Sequence, residues 1–177
     1  MRAEILSIGT ELLLGQILDT NANYLAQQLP PLGLDLYYVS QIGDNLARLA
    51  DAFRRGLERS DLIIATGGLG PTEDDLTREA IAEVLGETPV VQPHLEAELR
   101  LFFERRGRTM PARNVKQATT IPSGTYLPTP SGQRRAGGSR RTRRSLLPCP
   151  ASRTRCARCG RSRSLPGSAT GPTPACL

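Results

Sequence analysis

Between Thr66 and Thr77 the chain reads Thr-Gly-Gly-Leu-Gly-Pro-Thr-Glu-Asp-Asp-Leu-Thr. Gly67, Gly68 and Gly70 would let backbone come close to an anion, and the N–H groups at the start of a following helix would point at it. Asp74 and Asp75 enter the same turn. Acids beside a phosphate-accommodating backbone suggest a phosphorylated ligand bridged by a divalent metal. A plainer reading stands beside this one, in which the two acids only complement the positive end of a helix. Thr77 could bond within the turn or cap the helix.

This turn must be held by a strand before it and a helix after it. Asp61 to Thr66 carries the apolar run Leu62-Ile63-Ile64-Ala65 of a buried parallel strand. Leu76, Ala80, Ile81, Val84 and Leu85 share one face of a helix that ends at Gly86. A glycine-rich strand-to-helix turn is where an open α/β sheet places ligands, outside the carboxyl ends of its strands.

The other strand ends supply further polar residues. Ala3 to Ile8 reads as a first strand stopped by Gly9, and Leu34 to Ile42 as a second stopped by Gly43. Asp44 then faces the same crevice or caps a helix over 45–59. Glu11 and Asn21, with Thr10 and Asp19 near them, form a polar rim at the end of the first strand. Leu12-Leu13-Leu14 is expected to pack down and hold that loop. Asn21 to Leu29 reads as a helix capped by Asp19 or Thr20 and stopped by Pro30-Pro31. A further helix is expected over 93–106 and a short one over 111–118. Alternating strands and helices with short connections predict a three-layer α/β/α arrangement around a mainly parallel sheet.

Charge divides the chain sharply. Residues 1–130 carry 12 Lys and Arg against 17 Asp and Glu, a net of −5. Residues 131–177 carry 11 Arg and no Asp, Glu or Lys, a net of +11. All four cysteines, Cys149, Cys156, Cys159 and Cys176, lie in that second stretch. The acidic, cysteine-free first part, with no signal-peptide pattern and no apolar run near the ~20 residues of a membrane span, points to a cytoplasmic setting away from membranes. His94 is the only histidine. Covalent triad chemistry therefore has no support in 1–130, which leaves acids, backbone amides and a metal as the tools. Cys156 and Cys159 form one close pair without a second, so they do not make a zinc site. The arginines could neutralise phosphates nonspecifically, but without aromatic residues to stack on bases a nucleic-acid partner is not expected.

Three motifs in order carry a resemblance. They are Ser7-Ile8-Gly9-Thr10-Glu11-Leu12-Leu13-Leu14-Gly15-Gln16-Ile17-Leu18-Asp19-Thr20-Asn21, then Ile42-Gly43-Asp44-Asn45, then Thr66 to Thr77. Together with Asn114, Gln117-Ala118 and Leu127-Pro128 they resemble the N-terminal domain of the competence/damage-inducible CinA family. Thr129 stands where that family usually has Asn, and the likeness stops after Gly132. The resemblance implies the molybdopterin-binding (MogA-like) fold, incomplete at its C-terminus, with a nucleotide-like or pterin ligand. It implies metal-dependent ADP-ribose pyrophosphatase activity, with Asp75 and Asp44 as acting acids, Asp74 and Asp75 near a metal, and Gly9, Glu11, Asn21, Gly67, Gly68, Gly70 and Thr77 around the ligand. Non-catalytic binding of molybdopterin, or no activity, are the rival readings, and self-association of copies is compatible with all three. The family's separate nicotinamide-mononucleotide deamidase domain is not expected here.

Residues 131–177 have no aromatic and no β-branched apolar residue, so they offer nothing to bury at period 2 or 3.6. The expectation is a domain over 1–130 and a disordered tail over 131–177, leaving a three-stranded sheet with an open edge. The tail reads as a frame-shifted translation. Codons for Gln133 to Thr142, read one base out of register, can spell Ala-Thr-Pro-Gly-Trp-Trp-Val-Glu-Lys-Asp. Those for Leu147 to Arg161 can spell Leu-Pro-Gly-Val-Pro-Asp-Glu-Met-Arg-Ala-Met-Trp-Glu, and both strings resemble the family's continuation.

Overall fold

A computed structural model describes residues 1–127, 136–141 and 144–149, with the backbone alone from Tyr126 onward. The chain alternates β1 (Arg2–Ile8), α1 (Thr10–Leu13), α2 (Thr20–Gln28), β2 (Asp35–Ile42), α3 (Leu46–Arg59), β3 (Leu62–Thr66) and α4 (Thr77–Leu85). Then follow β4 (Val90–Val91), α5 (Pro93–Glu104), a 3₁₀ segment Ala112–Ala118, β5 (Thr119–Thr120), β6 (Gly124–Leu127), β7 (Ala136–Arg141) and β8 (Arg144–Cys149). The expected strands and longer helices are all present. The helix expected over 111–118 is 3₁₀, and α1 is a single turn that periodicity is too short to reveal.

The main sheet runs β2-β1-β3-β8-β7-β6. The pairs β1–β2, β1–β3 and β3–β8 are parallel, and β7 runs antiparallel to both neighbours. β4 and β5 form a separate antiparallel pair. β1 and β3 are central, so both faces of each are covered: every residue of β3 and all of β1 but Arg2 are buried. Ala3, Ile5, Leu62 and Ile64 pack with Ala22, Leu25 and Leu29 of the α2 segment on one face. Leu6, Ile8, Ile63 and Ala65 pack with Leu49, Ala52 and Phe53 of α3 and Ala80 and Ile81 of α4 on the other. Each such fully buried Leu, Ile or Phe contributes roughly 1.5–3 kcal/mol. The three-layer α/β/α expectation holds.

The expected three-stranded sheet with a bare edge does not. Leu62–Thr66 is flanked by Ser145–Cys149 in parallel register, so the sheet continues past β3. Backbone hydrogen bonding needs no particular side chain, and it recruits a segment that has no apolar periodicity. Residue 130 is therefore not the boundary of the sheet. The disorder expected for the rest of 131–177, and Cys156 and Cys159, lie outside the described residues.

An ion pair reaches into the core. Glu4, on β1, is 0% exposed and accepts from Arg59 Nη2 at 2.6 Å, Arg59 Nε at 3.1 Å and Ser60 Oγ at 3.1 Å. The Arg59 guanidinium lies 3.8 Å from the Tyr38 ring centroid. The Glu4 hydrogen bond holds its pKa above the usual arginine value. A buried carboxylate persists when its oxygens are paired in this way.

Candidate functional site

The parallel register brings the carboxyl ends of three strands to one rim. Ile8 pairs with Ile42, and Ser7 with Thr66. Gly9 N–H donates to the Ile42 carbonyl at 3.0 Å. Gly9, Asp44 and the Gly67-Gly68 turn thus share one side of the molecule, as the motifs imply.

Close approach explains the glycines. Gly67 has φ +104°, and a Cβ there would collide with the Ile8 carbonyl oxygen. Gly68 has φ +58°, and its Cβ would collide with Thr77 Oγ1. Thr77 is 0% exposed, donating Oγ1–H to the Gly67 carbonyl at 2.8 Å and N–H to the Gly68 carbonyl at 3.2 Å. It therefore staples the turn from beneath, and it is not the cap of α4, whose N-cap is Leu76.

Asp75 is spent on the same loop. Its Oδ1 accepts from Gly70 N–H at 2.7 Å, and its Oδ2 accepts from Thr72 N–H at 2.9 Å and from the Thr72 hydroxyl. A Cβ on Gly70 would run into this carboxylate. Two of the loop's N–H groups thus point at a resident acid. Gly68 and Leu69 N–H have no acceptor among the described residues. Two cations hold the loop's carbonyls. Arg78, 7% exposed, donates Nη2–H to the Leu69 carbonyl at 3.1 Å. Lys116 donates to the Thr72 carbonyl at 3.0 Å and pairs with Glu79 at 3.1 Å. Burial pulls the Arg78 pKa down, against the nearby Glu79 and Asp75 charges. Asp74 is exposed.

At the β2 end, Asp44 Oδ2 accepts from Thr10 N–H at 2.9 Å and Thr10 Oγ1–H at 2.8 Å. Asp44 N–H donates to Thr10 Oγ1 at 3.1 Å. The cap expected of Asp44 on α3 belongs instead to Asn45, whose Oδ1 accepts from Arg48 N–H at 3.1 Å. Asp44 ties the end of β2 to the start of α1, because the extended Asn45 backbone moves the helix start one residue on. The Glu11 carboxylate folds back over Gly9, within 2.7 Å of where a Cβ would stand. The leucines do not pack down as expected. Leu13 is 47% and Leu14 64% exposed, and Ile17 and Leu18 are also exposed, since α1 is too short to bury a face.

On the other face of the sheet, α2 brings a second polar group to the rim. Asp19 is its cap, Oδ1 accepting from Ala22 N–H at 2.9 Å. Asn21 Nδ2–H donates to Thr66 Oγ1 at 3.2 Å. Ser7 is 0% exposed, and Ser7 Oγ and Asp19 Oδ2 are buried with no hydrogen-bond partner among the described residues. Sequence reasoning missed Ser7, Thr66, Arg78 and Lys116. Ser7 and Thr66 carried a signal: each is a hydroxyl at or one step from the end of an apolar strand. Arg78 and Lys116 carried none, because their targets are backbone carbonyls.

Among the described residues no three His, Cys, Asp or Glu side chains group to hold a metal. No described helix is long and apolar enough to cross a membrane. The structure thus gathers Gly9, Asp44, Gly67, Gly68, Gly70, Asp75, Thr77, Glu11 and Asn21 at one rim, with Asp75 and Thr77 turned to the loop itself.

A family model described as a probable molybdopterin binding domain matches residues 4–170. A CinA-like protein of Thermomicrobium roseum is 54% identical over 132 residues, covering 75% of this chain and 32% of that protein. A CinA-like protein of Deinococcus radiodurans is 54% identical over 130 residues, 73% of this chain and 32% of that protein. The chain spans about a third of the length of these curated relatives. Among solved structures, a CinA protein of unknown function from Thermoplasma acidophilum superposes with TM-score 0.80 at 26% identity, covering 88% of this chain and 92% of that one. The molybdopterin biosynthesis enzyme MoaB of Thermus thermophilus, 21% identical over 86% of this chain and 82% of its own, has TM-score 0.56 and shares the fold. With the rim motifs, the parallel sheet and these likenesses in agreement, the chain belongs to the CinA family and carries its molybdopterin-binding-type, MoaB/Mog-like domain.

Proposed function

We propose that the rim binds a nucleotide-like ligand through its phosphates and that, in its catalytic form, it hydrolyses ADP-ribose. The observation carrying this reading is the Gly67-Gly68-Leu69 turn. It approaches the Ile8 backbone too closely for any side chain, and Gly68 and Leu69 N–H lack protein acceptors among the described residues. Such N–H groups suit phosphate oxygens. Water attacking one phosphorus of the pyrophosphate and breaking the bridging P–O bond would give AMP and ribose 5-phosphate.

A divalent cation enters this reading with the ligand. Asp75 gives both oxygens to the loop, so it is a poor direct metal ligand and acts by shaping the turn. Asp44 keeps Oδ1 beyond its Thr10 bonds, and Asp74 is exposed. One or two carboxylates with phosphate oxygens and waters suffice for a magnesium-like ion. Asp44 and Asp74 are the carboxylates we assign to that role, with Glu11, Gly9 and Asn21 along the rim.

The second reading is non-catalytic binding of molybdopterin, favoured by the family description. The two part in one experiment. The chain is incubated with ADP-ribose and Mg²⁺ or Mn²⁺, products are separated by ion-exchange chromatography, and binding is followed by calorimetry. AMP release that a chelator abolishes supports hydrolysis. Binding without AMP supports the binding module, and neither binding nor release ends both for this ligand.

A further inference from the structure

Apart from Asn21, the buried polar group under α2 is not used by the phosphate reading. Ser7 and Thr66 are register partners, so they stand side by side on the sheet face that carries Ala3, Ile5 and Ile64 against α2. Asn21 reaches Thr66 from the first turn of α2, and Asp19 caps that turn. Two oxygens here, Ser7 Oγ and Asp19 Oδ2, are buried and unpartnered among the described residues. Leaving such groups unsatisfied costs about 1–3 kcal/mol each, more for a charge, so the arrangement is built for something that brings hydrogen bonds.

The chemistry of that something follows from the atoms. A carboxylate oxygen only accepts. Ser7 Oγ–H can accept and donate, and Thr66 Oγ1 already accepts from Asn21. These oxygens therefore want O–H or N–H donors. A phosphate brings only acceptors and negative charge, and the Asp19 carboxylate opposes it. Thr66 leads directly into the Gly67-Gly68 turn, so a group seated here lies next to phosphates on that turn.

We infer that the crevice between the first turn of α2 and the ends of β1 and β3 is a pocket for the uncharged polyol part of a phosphorylated ligand, such as a ribosyl group. Ser7 and Asp19 are its hydroxyl acceptors, and Thr66 and Asn21 form its wall. This rests on the phosphate-binding reading of the glycine turn.

The test uses the full chain and two probes, ADP-ribose and inorganic pyrophosphate, by calorimetry. Asp19→Asn keeps a capping oxygen for Ala22 N–H and turns the second oxygen into a donor. Ser7→Ala deletes a hydroxyl that has no partner among the described residues. Each should weaken ADP-ribose at least about tenfold, the scale of one lost hydrogen bond to a ligand, and leave pyrophosphate unchanged. Ser7→Ala should not lower the melting temperature of the ligand-free chain, which a merely structural hydroxyl would do. Unchanged ADP-ribose affinity in both variants, or equal loss for both probes, overturns the pocket. If the unaltered chain binds neither probe, the phosphate reading itself fails, and that outcome is distinct from normal wild-type binding with indifferent variants.

Discussion

On the β3–α4 side of the rim, most polar groups of the turn are used locally, although Arg78 Nη1 and Glu79 Oε2 are buried without a hydrogen-bond partner among the described residues. Asp75 takes the N–H groups of Gly70 and Thr72, Thr77 takes the Gly67 carbonyl, and Arg78 and Lys116 take the carbonyls of Leu69 and Thr72. On the α2 side, Ser7 Oγ and Asp19 Oδ2 are buried with no protein partner among the described residues. The first side carries the recognisable motif and spends most of it on holding a shape. The second carries an inconspicuous serine and a capping aspartate and keeps its bonding capacity. The residues that make a motif legible are thus mostly scaffolding for two or three backbone N–H groups, while the unspent Ser7 and Asp19 oxygens lie across the sheet.

Gly67 serves both sides, so changing it should have the largest effect. In Gly67→Ala the Cβ would meet the Ile8 carbonyl oxygen at φ +104°. Backbone strain and overpacking each cost about 1–3 kcal/mol, and by the same principles a loss of roughly 3 kcal/mol in urea denaturation is expected. A variant as stable as the parent would break the account of the turn.

Asp75→Asn sharpens the comparison. The sequence reading places Asp75 as an acid near a metal. In the structure the substitution costs the loop hydrogen bonds, because an amide cannot accept from Gly70, Thr72 N–H and the Thr72 hydroxyl together. Hydrogen bonds to charged groups contribute about 1.5–3 kcal/mol, so stability should fall by about 2 kcal/mol along with pyrophosphate binding. Unchanged stability with lost metal-dependent turnover would return Asp75 to direct catalysis. Ser7→Ala is the mirror image, with stability kept and affinity lost.

The smallest effect lies away from the rim. Asp61 accepts from Arg2 N–H at 2.9 Å and Arg2 Nη2 at 3.4 Å, and these bonds hold its pKa below the usual carboxylate value. A lowered folded-state pKa contributes stability above the unfolded value, and that contribution is lost as pH falls through the folded one. Asp61→Asn should therefore narrow the stability gap between neutral and acid pH slightly without altering either probe's binding. Denaturation midpoints at the two pH values check this. A change in ligand affinity would show that the rim is coupled to the strand starts.

Much was legible in the chain itself. Leu62 to Ala65 announces a buried strand, because strands covered on both faces need continuous apolar runs, and Ala3 to Ile8 reads as a strand ended by Gly9. Gly67, Gly68, Asp44 and Asn21 fall at strand or helix ends, so local order places them on one rim. Which partner each side chain takes was not legible. Asp44 bonds Thr10 and not its own helix, Asp75 bonds its own loop, and Arg78 bonds a carbonyl nine residues back. Those choices depend on loop geometry that spacing does not encode. Leu13 and Leu14 looked like anchors because composition registers hydrophobicity, but a single-turn helix cannot turn them inward.

The chain's own pattern was enough for the alternation of elements, a mainly parallel sheet holding the first three strands, and the position of the glycine turn, since periodicity and turn chemistry are local properties. The strand order β2-β1-β3 and the extension of the sheet by β8 beside β3 came from the folded structure, because strand pairing uses backbone groups that every residue has. The folded structure alone also decided which polar atoms are spent and which remain, because hydrogen-bond satisfaction is settled by neighbours distant in the chain.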